Sequence, residues 1–290
     1  MATLLDIRRR IVSVQNTRKI TKAMEMVAAA KLRRAQQRIE ALRPYAVSMV
    51  EMMQDLARYA ESPGNYPLLR KHEAVRDLTL VVFTGDSGLA GAFNANVVRR
   101  ATDLHKEAVA AGRSTRFVVT GRKGAGTMRF RGYPLERIWT GLSDHPEFTH
   151  AEDIARYIID LYSSEKTDEV HLIYNRFRSP LEQIVKDVVR LPIEPPEYHE
   201  RGGLPATYIY EPDATTILNG LLPRYVEIAV FRALLESSAS EQGARMTAMH
   251  SASENADEMM DALTLQLNRV RQAAITQEIL EVVAGANALE

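Results

Sequence analysis

With 290 residues, 46% of them hydrophobic, the chain can bury a core, and its 37 Lys and Arg are matched by 37 Asp and Glu, so it is no polycation seeking phosphate. There is no cysteine, which excludes a disulfide framework, a Cys-ligated zinc or iron-sulfur site, and a thiol nucleophile. Apolar runs such as Leu80 to Phe83 fall far short of the ~20 residues that span a bilayer, and the start MATLLDIRRR lacks a signal peptide's apolar core, so the chain is expected to be soluble and not exported.

From Thr3 to about Tyr59 no glycine occurs and Pro44 is the only breaker, which predicts one long amphipathic helix. Its apolar stripe starts at Ile7, Ile11 and Val14, drifts to Ile20, Met24 and Val27, and resumes at Leu32, Ala35, Ile39 and Leu42. Polar Arg18, Thr21 and Glu25 hold the strict seam positions between, so a register shift is expected there. Pro44 removes a backbone hydrogen bond and is expected to bend or interrupt the helix. The stretch Ala60 to Asp77, with Pro63, Gly64 and Pro67, reads as a linker.

The periodicity then changes. Leu78 to Thr84 and Arg116 to Thr120 read as short buried strands, Tyr133 to Thr140 as a weaker one and Glu169 to Phe177 as a strong one. Helical stretches near Asn94 to Ala111, Lys123 to Phe130 and Glu152 to Tyr162 lie between them, which implies a largely parallel sheet covered on both faces. Glu182 to Leu191 can pair antiparallel with the strand before it. A proline-rich loop follows, and Asp213 is placed to cap the last helix.

In the final run, Thr215 to Ala286, seam residues Met246, Met249, Ser253, Ala256, Met260, Leu263, Leu267, Val270 and Ala274 alternate by three and four, the mark of a coiled-coil strand. If wholly helical the run extends roughly 100 Å at 1.5 Å per residue. Two long helices at opposite ends of one chain pack most economically on each other, antiparallel. The expected fold is therefore α/β, a long antiparallel coiled coil of N- and C-terminal helices with an inserted Rossmann-like domain. Its segments are 1–60, 61–213 and 214–290. The tip from Ile275 through Ile279, Leu280, Val282 and Val283 is apolar on nearly every side, and the shorter partner helix cannot cover it; it is either a frayed end or a tip held in another protein's apolar sleeve.

Two glycine-rich turns invite a phosphate-cradle reading, Gly85-Asp86-Ser87-Gly88-Leu89-Ala90-Gly91 and Gly121-Arg122-Lys123-Gly124-Ala125-Gly126. Neither has Walker or dinucleotide spacing, and a structural turn is the preferred reading. The basic residues from Arg8 to Arg38 are spread around the helix with hardly an aromatic to stack on a base, so they read as a solvated or partner-facing surface. Seven scattered histidines form no metal-ligand spacing and no catalytic set emerges; no cofactor is called for.

Three blocks resemble the gamma subunit of F-type ATP synthases over essentially the full length: Ile11 to Ala35, Thr84 to Val97, and Glu236 to Leu289, the last with Ile275, Thr276, Glu278, Glu281, Gly285 and Ala286 in the family signature. The resemblance implies a single-copy, non-catalytic central rotor. Its partners would be the alpha and beta subunits around the paired helices, and epsilon and the membrane rotor ring below. It also implies contacts to the alpha/beta ring at Met24, Arg245, Arg271, Gln272, Thr276 and Glu278, with Arg245 bracing the two helices, and a rotor-ring contact at Tyr208, Tyr210 and Glu211. Met24 serves equally as seam packing. The chain departs from the family pattern at Ser87, where Arg is common, and at Ala90, where many relatives have Cys; with no cysteine-bearing insertion, no thiol switch is expected. The location implied is peripheral, on the cytoplasmic face of a bacterial plasma membrane. The rivals are a nucleotide-handling α/β enzyme and a homo-oligomeric coiled-coil scaffold.

Overall fold

The structure is a computed structural model that describes residues 3–57, 66–194 and 214–287. Among them the elements run α1 (Leu4–Ala57), β1 (Asp77–Phe83), α2 (Phe93–Ala110), β2 (Ser114–Thr120), α3 (Arg122–Phe130), β3 (Leu135–Trp139), α4 (Phe148–Ser163), β4 (Glu169–Phe177), β5 (Gln183–Leu191) and α5 (Ala214–Asn287). The chain divides into two compact units, Met1–Ala28 with Met246–Glu290, and Ala29–Arg245. Both long helices contribute to each. None of the described helices is long and apolar enough to cross a membrane.

In the unit Ala29–Arg245 a five-stranded sheet has the order β3-β2-β1-β4-β5. Its first four strands are parallel, and β5 runs antiparallel to β4. The central strand β1 explains why the sequence there is continuously apolar: Leu78, Leu80 and Val82 join one core with α2 and α3, while Val81 and Phe83 join the other. That second core takes Ile154, Ile158 and Tyr162 from α4, Met53 from α1, and Leu218, Leu222, Val226 and Val230 from α5. The expected strands are found within one or two residues. Helix α4 begins four residues before its expected start, because its cap is made by Glu147 and His150 in a reciprocal pair and not by a Ser, Thr or Asp that the sequence would advertise.

Pro44 does not interrupt α1. A mid-helix proline costs about 3 kcal/mol, and buried side chains on both sides hold the helix through it: Leu32 and Ala35 before, Met49 and Met53 after. Pro223, inside α5, is likewise bracketed by buried Leu222 and Val226. The position expected to cap α5, Asp213, lies outside the described residues.

In the unit Met1–Ala28 with Met246–Glu290 the two helices run antiparallel. Arg18 Nε meets Asp257 Oδ1 at 2.7 Å, and His250 Nδ1 stands 3.3 Å from Glu25 Oε1. Every expected seam residue of α5 from Met246 to Ala274 is buried or half-buried. On α1 the expected register shift does not occur. The seam continues straight through Ile7, Ile11, Val14, Arg18, Thr21, Glu25 and Ala28, and Ile20 (60% exposed) and Val27 (55%) are left in solvent. Polar residues can hold the seam because each is satisfied: Arg18 and Glu25 pair with α5, and Thr21 Oγ1 donates to the Arg18 carbonyl at 3.0 Å.

Candidate functional site

The two glycine turns are one interlocked structure. The Asp86 carboxylate accepts the backbone N–H groups of Arg122 (3.1 Å), Gly141 (2.8 Å) and Ser143 (3.3 Å). The Gly85 N–H donates to Asn94 Oδ1 at 2.8 Å, Lys123 N–H to the Gly85 carbonyl at 3.1 Å, and Gly124 N–H to Thr84 Oγ1 at 3.1 Å. The first three N–H donors of α3, which a phosphate there would need, are thus taken from within. Burial pushes the Asp86 pKa up, but the N–H donors of Gly141, Ser143 and Arg122 outweigh it and hold the carboxyl below its ordinary range. Gly121, at φ +90°, permits the close approach: a Cβ there would lie 2.1 Å from the Thr84 carbonyl oxygen. This arrangement supports the structural-turn reading for both motifs.

Arg245 ties α5 to the first of these turns. Its Nη2 is 2.5 Å from Glu241 Oε1, 2.8 Å from Ser87 Oγ and 3.2 Å from the Gly88 carbonyl, and its Nη1 donates to Gln242 Oε1 at 2.9 Å. Its Nε also donates to the Gly88 carbonyl at 3.3 Å, and among the described residues none of its hydrogen-bond partners is on α1, so the expected brace between the two helices is corrected: the guanidinium is captured by acceptors one turn away on α5 and by the loop at the sheet's edge. Ser87 matters here. It accepts from Arg245 and donates to Glu241 Oε1 at 3.1 Å, so an arginine at this position would set a second cation against Arg245. Glu241 was missed by sequence reading; its one advertisement is the four-residue spacing to Arg245. Gly85 leaves room for it, since a Cβ there would fall 2.7 Å from the Glu241 carboxyl carbon and push that carboxylate aside.

The remaining residues belong to the unit of paired helix ends. Met24 is half-buried at the seam's edge beside Glu25. Arg271, Gln272, Thr276 and Glu278 are exposed, and the Thr276 hydroxyl donates back to the Gln272 carbonyl at 2.9 Å. The two cross-helix pairs join residues whose numbers add to the same total, which sets Leu4 level with Arg271 and Met24 level with Ser251. Met24 and the Arg271–Glu278 group therefore stand about 30 Å or more apart along the helix at 1.5 Å per residue and form no common site. Tyr208, Tyr210 and Glu211 lie outside the described residues.

Beyond Arg271 the helix α5 has no described partner for about 16 residues, about 24 Å at 1.5 Å per residue. Ile275, Ile279, Leu280, Val282 and Val283 are all exposed there, Val282 at 72%. A second apolar set, Val12, Ile20 and Val27, with Leu5, lies exposed on the face of α1 opposite the seam. Sequence reading placed Ile20 and Val27 in the seam, because apolarity alone cannot tell a covered face from a bare one.

A sequence profile described as ATP synthase matches residues 3–289. The ATP synthase gamma chain of Desulforamulus reducens is 47% identical over 294 residues, covering 100% of both chains. That of Moorella thermoacetica is 47% identical over 290 residues, again covering 100% of both. Among solved structures, a chain from the central stalk and c-ring of the Tetrahymena thermophila mitochondrial ATP synthase aligns with a TM-score of 0.60 at 30% identity, covering 81% of this chain and 99% of that one. On a profile match over residues 3–289 and 47% identity across the full length of both chains, the chain belongs to the ATP synthase gamma chain family.

Proposed function

We propose that this chain is the central rotor subunit of a proton- or sodium-translocating F-type ATP synthase, coupling rotation of the membrane ring to conformational change at the beta-subunit nucleotide sites. It does no chemistry itself. The observation that carries the reading is the apolar overhang of α5: Ile275 to Val283 continue as a helix with large aliphatic side chains in solvent, past the last residue of α1 able to cover them. An aliphatic helix surface of this kind is a partner surface. Family membership supplies the partner, a sleeve of alpha and beta subunits, one copy of this chain to each complex.

On this reading the segments 1–60 and 214–290 form the shaft and 61–213 the inserted domain, which meets epsilon and the ring. Met24, Arg271, Gln272, Thr276 and Glu278 face the alpha/beta ring. Arg271 and Gln272, exposed and without a side-chain partner among the described residues, are free to hydrogen-bond acidic loops of beta. Arg245 acts through the Gly88 turn it holds. Tyr208, Tyr210 and Glu211 contact the rotor ring. The chain sits peripherally on the cytoplasmic face of a bacterial plasma membrane, reaching the membrane only through that ring. Turning works by differential contact: each orientation must favour a different beta conformation, because a contact equal in all states shifts no population.

The test is reconstitution with the host's alpha and beta subunits, beside a version truncated before Ile275. Hydrolysis of ATP appearing in a complex with one copy of this chain to three of each partner, and weakened assembly of the truncated form, are expected. A chain that fails to associate and is dimeric alone overturns the reading.

A further inference from the structure

We propose that Leu89, on the turn between β1 and α2, is a further contact residue for the alpha/beta ring, displayed there against the interest of the fold; the proposal rests on the rotor reading. Leu89 has φ +60°, in the left-handed region that a leucine enters only under strain. Its side chain is 62% exposed, so burial does not offset that strain. A glycine would hold the same turn without it. Folding alone therefore gives no reason for a leucine at this position.

The residues on either side are fixed. The Gly88 carbonyl accepts Arg245 Nη2 at 3.2 Å and Nε at 3.3 Å. Ala90 is buried in a small apolar cluster with Phe93 and Ala244, and its carbonyl accepts the Phe93 N–H at 3.1 Å. Pinned between the two, Leu89 cannot turn its side chain inward without breaking these contacts, and it stands out as a rigid apolar knob. Backbone outliers over-determined by their surroundings in this way cluster at sites of contact and function.

Lys123 gives the knob a charged neighbour: a Cβ on Gly88 would lie 3.5 Å from its Cε and 3.8 Å from its Nζ. Lys123 is exposed and has no carboxylate partner among the described residues, whereas Arg122 beside it stands 3.6 Å from Asp86. An apolar knob with one free cation fits an apolar recess that carries a carboxylate at its rim. The alpha/beta ring is the occupant because Arg245, which holds the turn, lies on the same unbroken helix α5 that carries the proposed ring contacts from Arg271 onward.

The experiment compares the full natural chain with Leu89→Gly, Leu89→Met and Lys123→Gln, first alone by thermal melting, then mixed with the host's alpha and beta subunits, reading co-elution over a range of chain concentrations. Leu89→Gly should melt no lower than the natural chain, because the strain is gone, yet need about tenfold more chain for half-maximal assembly, the low end of what burying one leucine is worth. Leu89→Met keeps an apolar side chain and should assemble within about twofold of the natural chain. Lys123→Gln should melt unchanged and weaken assembly at low salt, an effect that shrinks as salt rises. A clearly lower melt of Leu89→Gly would put the side chain in the service of the fold and overturn the proposal, as would Leu89→Met assembling as poorly as Leu89→Gly. Indifference to Lys123→Gln would overturn the carboxylate rim. A natural chain that does not assemble overturns the rotor reading and this proposal with it; one that assembles no better than Leu89→Gly overturns this proposal alone.

Discussion

Arg245 Nη2 stands 2.5 Å from Glu241 Oε1, one helical turn away, and both side chains are almost wholly removed from solvent, at 11% and 1% exposure. Removing one partner of such a pair strands the other's charge. Glu241→Ala should therefore destabilise the chain by about 3 kcal/mol in urea unfolding. The double variant Glu241→Ala with Arg245→Met should recover part of that loss, because no charge is left buried. An unaltered midpoint in the single variant would show that Gln242, Ser87 and Gly88 suffice for the guanidinium.

Asp86 makes the glycine turns sensitive to acid. Its pKa is lowered in the fold, so its contribution to stability is fully present above the ordinary carboxylate pKa of about 3.9 and is lost as pH falls through the lower folded value. Asp86→Asn, which can accept fewer of the three N–H groups, should cost about 2 kcal/mol at pH 7 and flatten the loss of stability below pH 4. Denaturant midpoints across pH 2.5 to 7 measure both.

His171 works in the opposite direction. Burial pushes its pKa down, but Asp187 at 2.8 Å and Glu169 at 3.3 Å outweigh that and raise it above 6.5, while Arg100 holds the far side of Asp187 at 3.0 Å. Stability from this cluster is complete below the unfolded pKa of about 6.5 and fades as pH rises through the folded one. Imidazole resonances should titrate above 6.5, and Asp187→Asn should move them down. Amide exchange in β5, bound to β4 through this cluster, should quicken over the same interval.

The corrected seam on α1 separates two kinds of apolar residue. Ile20→Ser touches a solvent-facing side chain and should change stability by no more than about 0.5 kcal/mol. Ala28→Leu, at a position 1% exposed, forces bulk into a close approach and should cost about 1–3 kcal/mol. Circular dichroism melts of the two variants check the contrast, and an equal effect would restore the shifted register.

Overhang substitutions give a further separation. Ile279→Lys and Val283→Lys alter exposed positions, so the isolated chain should melt as before, within about 0.5 kcal/mol. Assembly with the alpha and beta subunits should weaken clearly, measured by co-elution. Undiminished assembly would remove the overhang from the interface.

The α5 seam was legible because each of its apolar or small residues faces one partner at one spacing, and the strands because β1 and β4 are apolar on both sides. Register on α1 was not. Ile20 and Val27 outrank Thr21 and Glu25 in hydropathy, and only the partners on α5, Asp257 and His250, make the polar positions the better seam. The Gly85 and Gly121 motifs were visible as turns, but their joint closure around Asp86 depends on Gly141 and Ser143, far along the chain and without local pattern. Glu241 went unread for the same reason: its meaning comes from a loop 154 residues earlier, at Ser87.

The unit of paired helix ends draws its two strands from the first 28 residues and from those after Met246. During synthesis the amino-terminal seam, with Ile7 and Ile11, emerges first and has no helix to close against until more than 200 further residues have been made. At 5–20 residues per second that wait is on the order of 10–50 s. The half of the coiled coil that is translated first is thus the part that the cell must shield longest, and α1 is where a nascent chain of this design is most open to aggregation or to a chaperone.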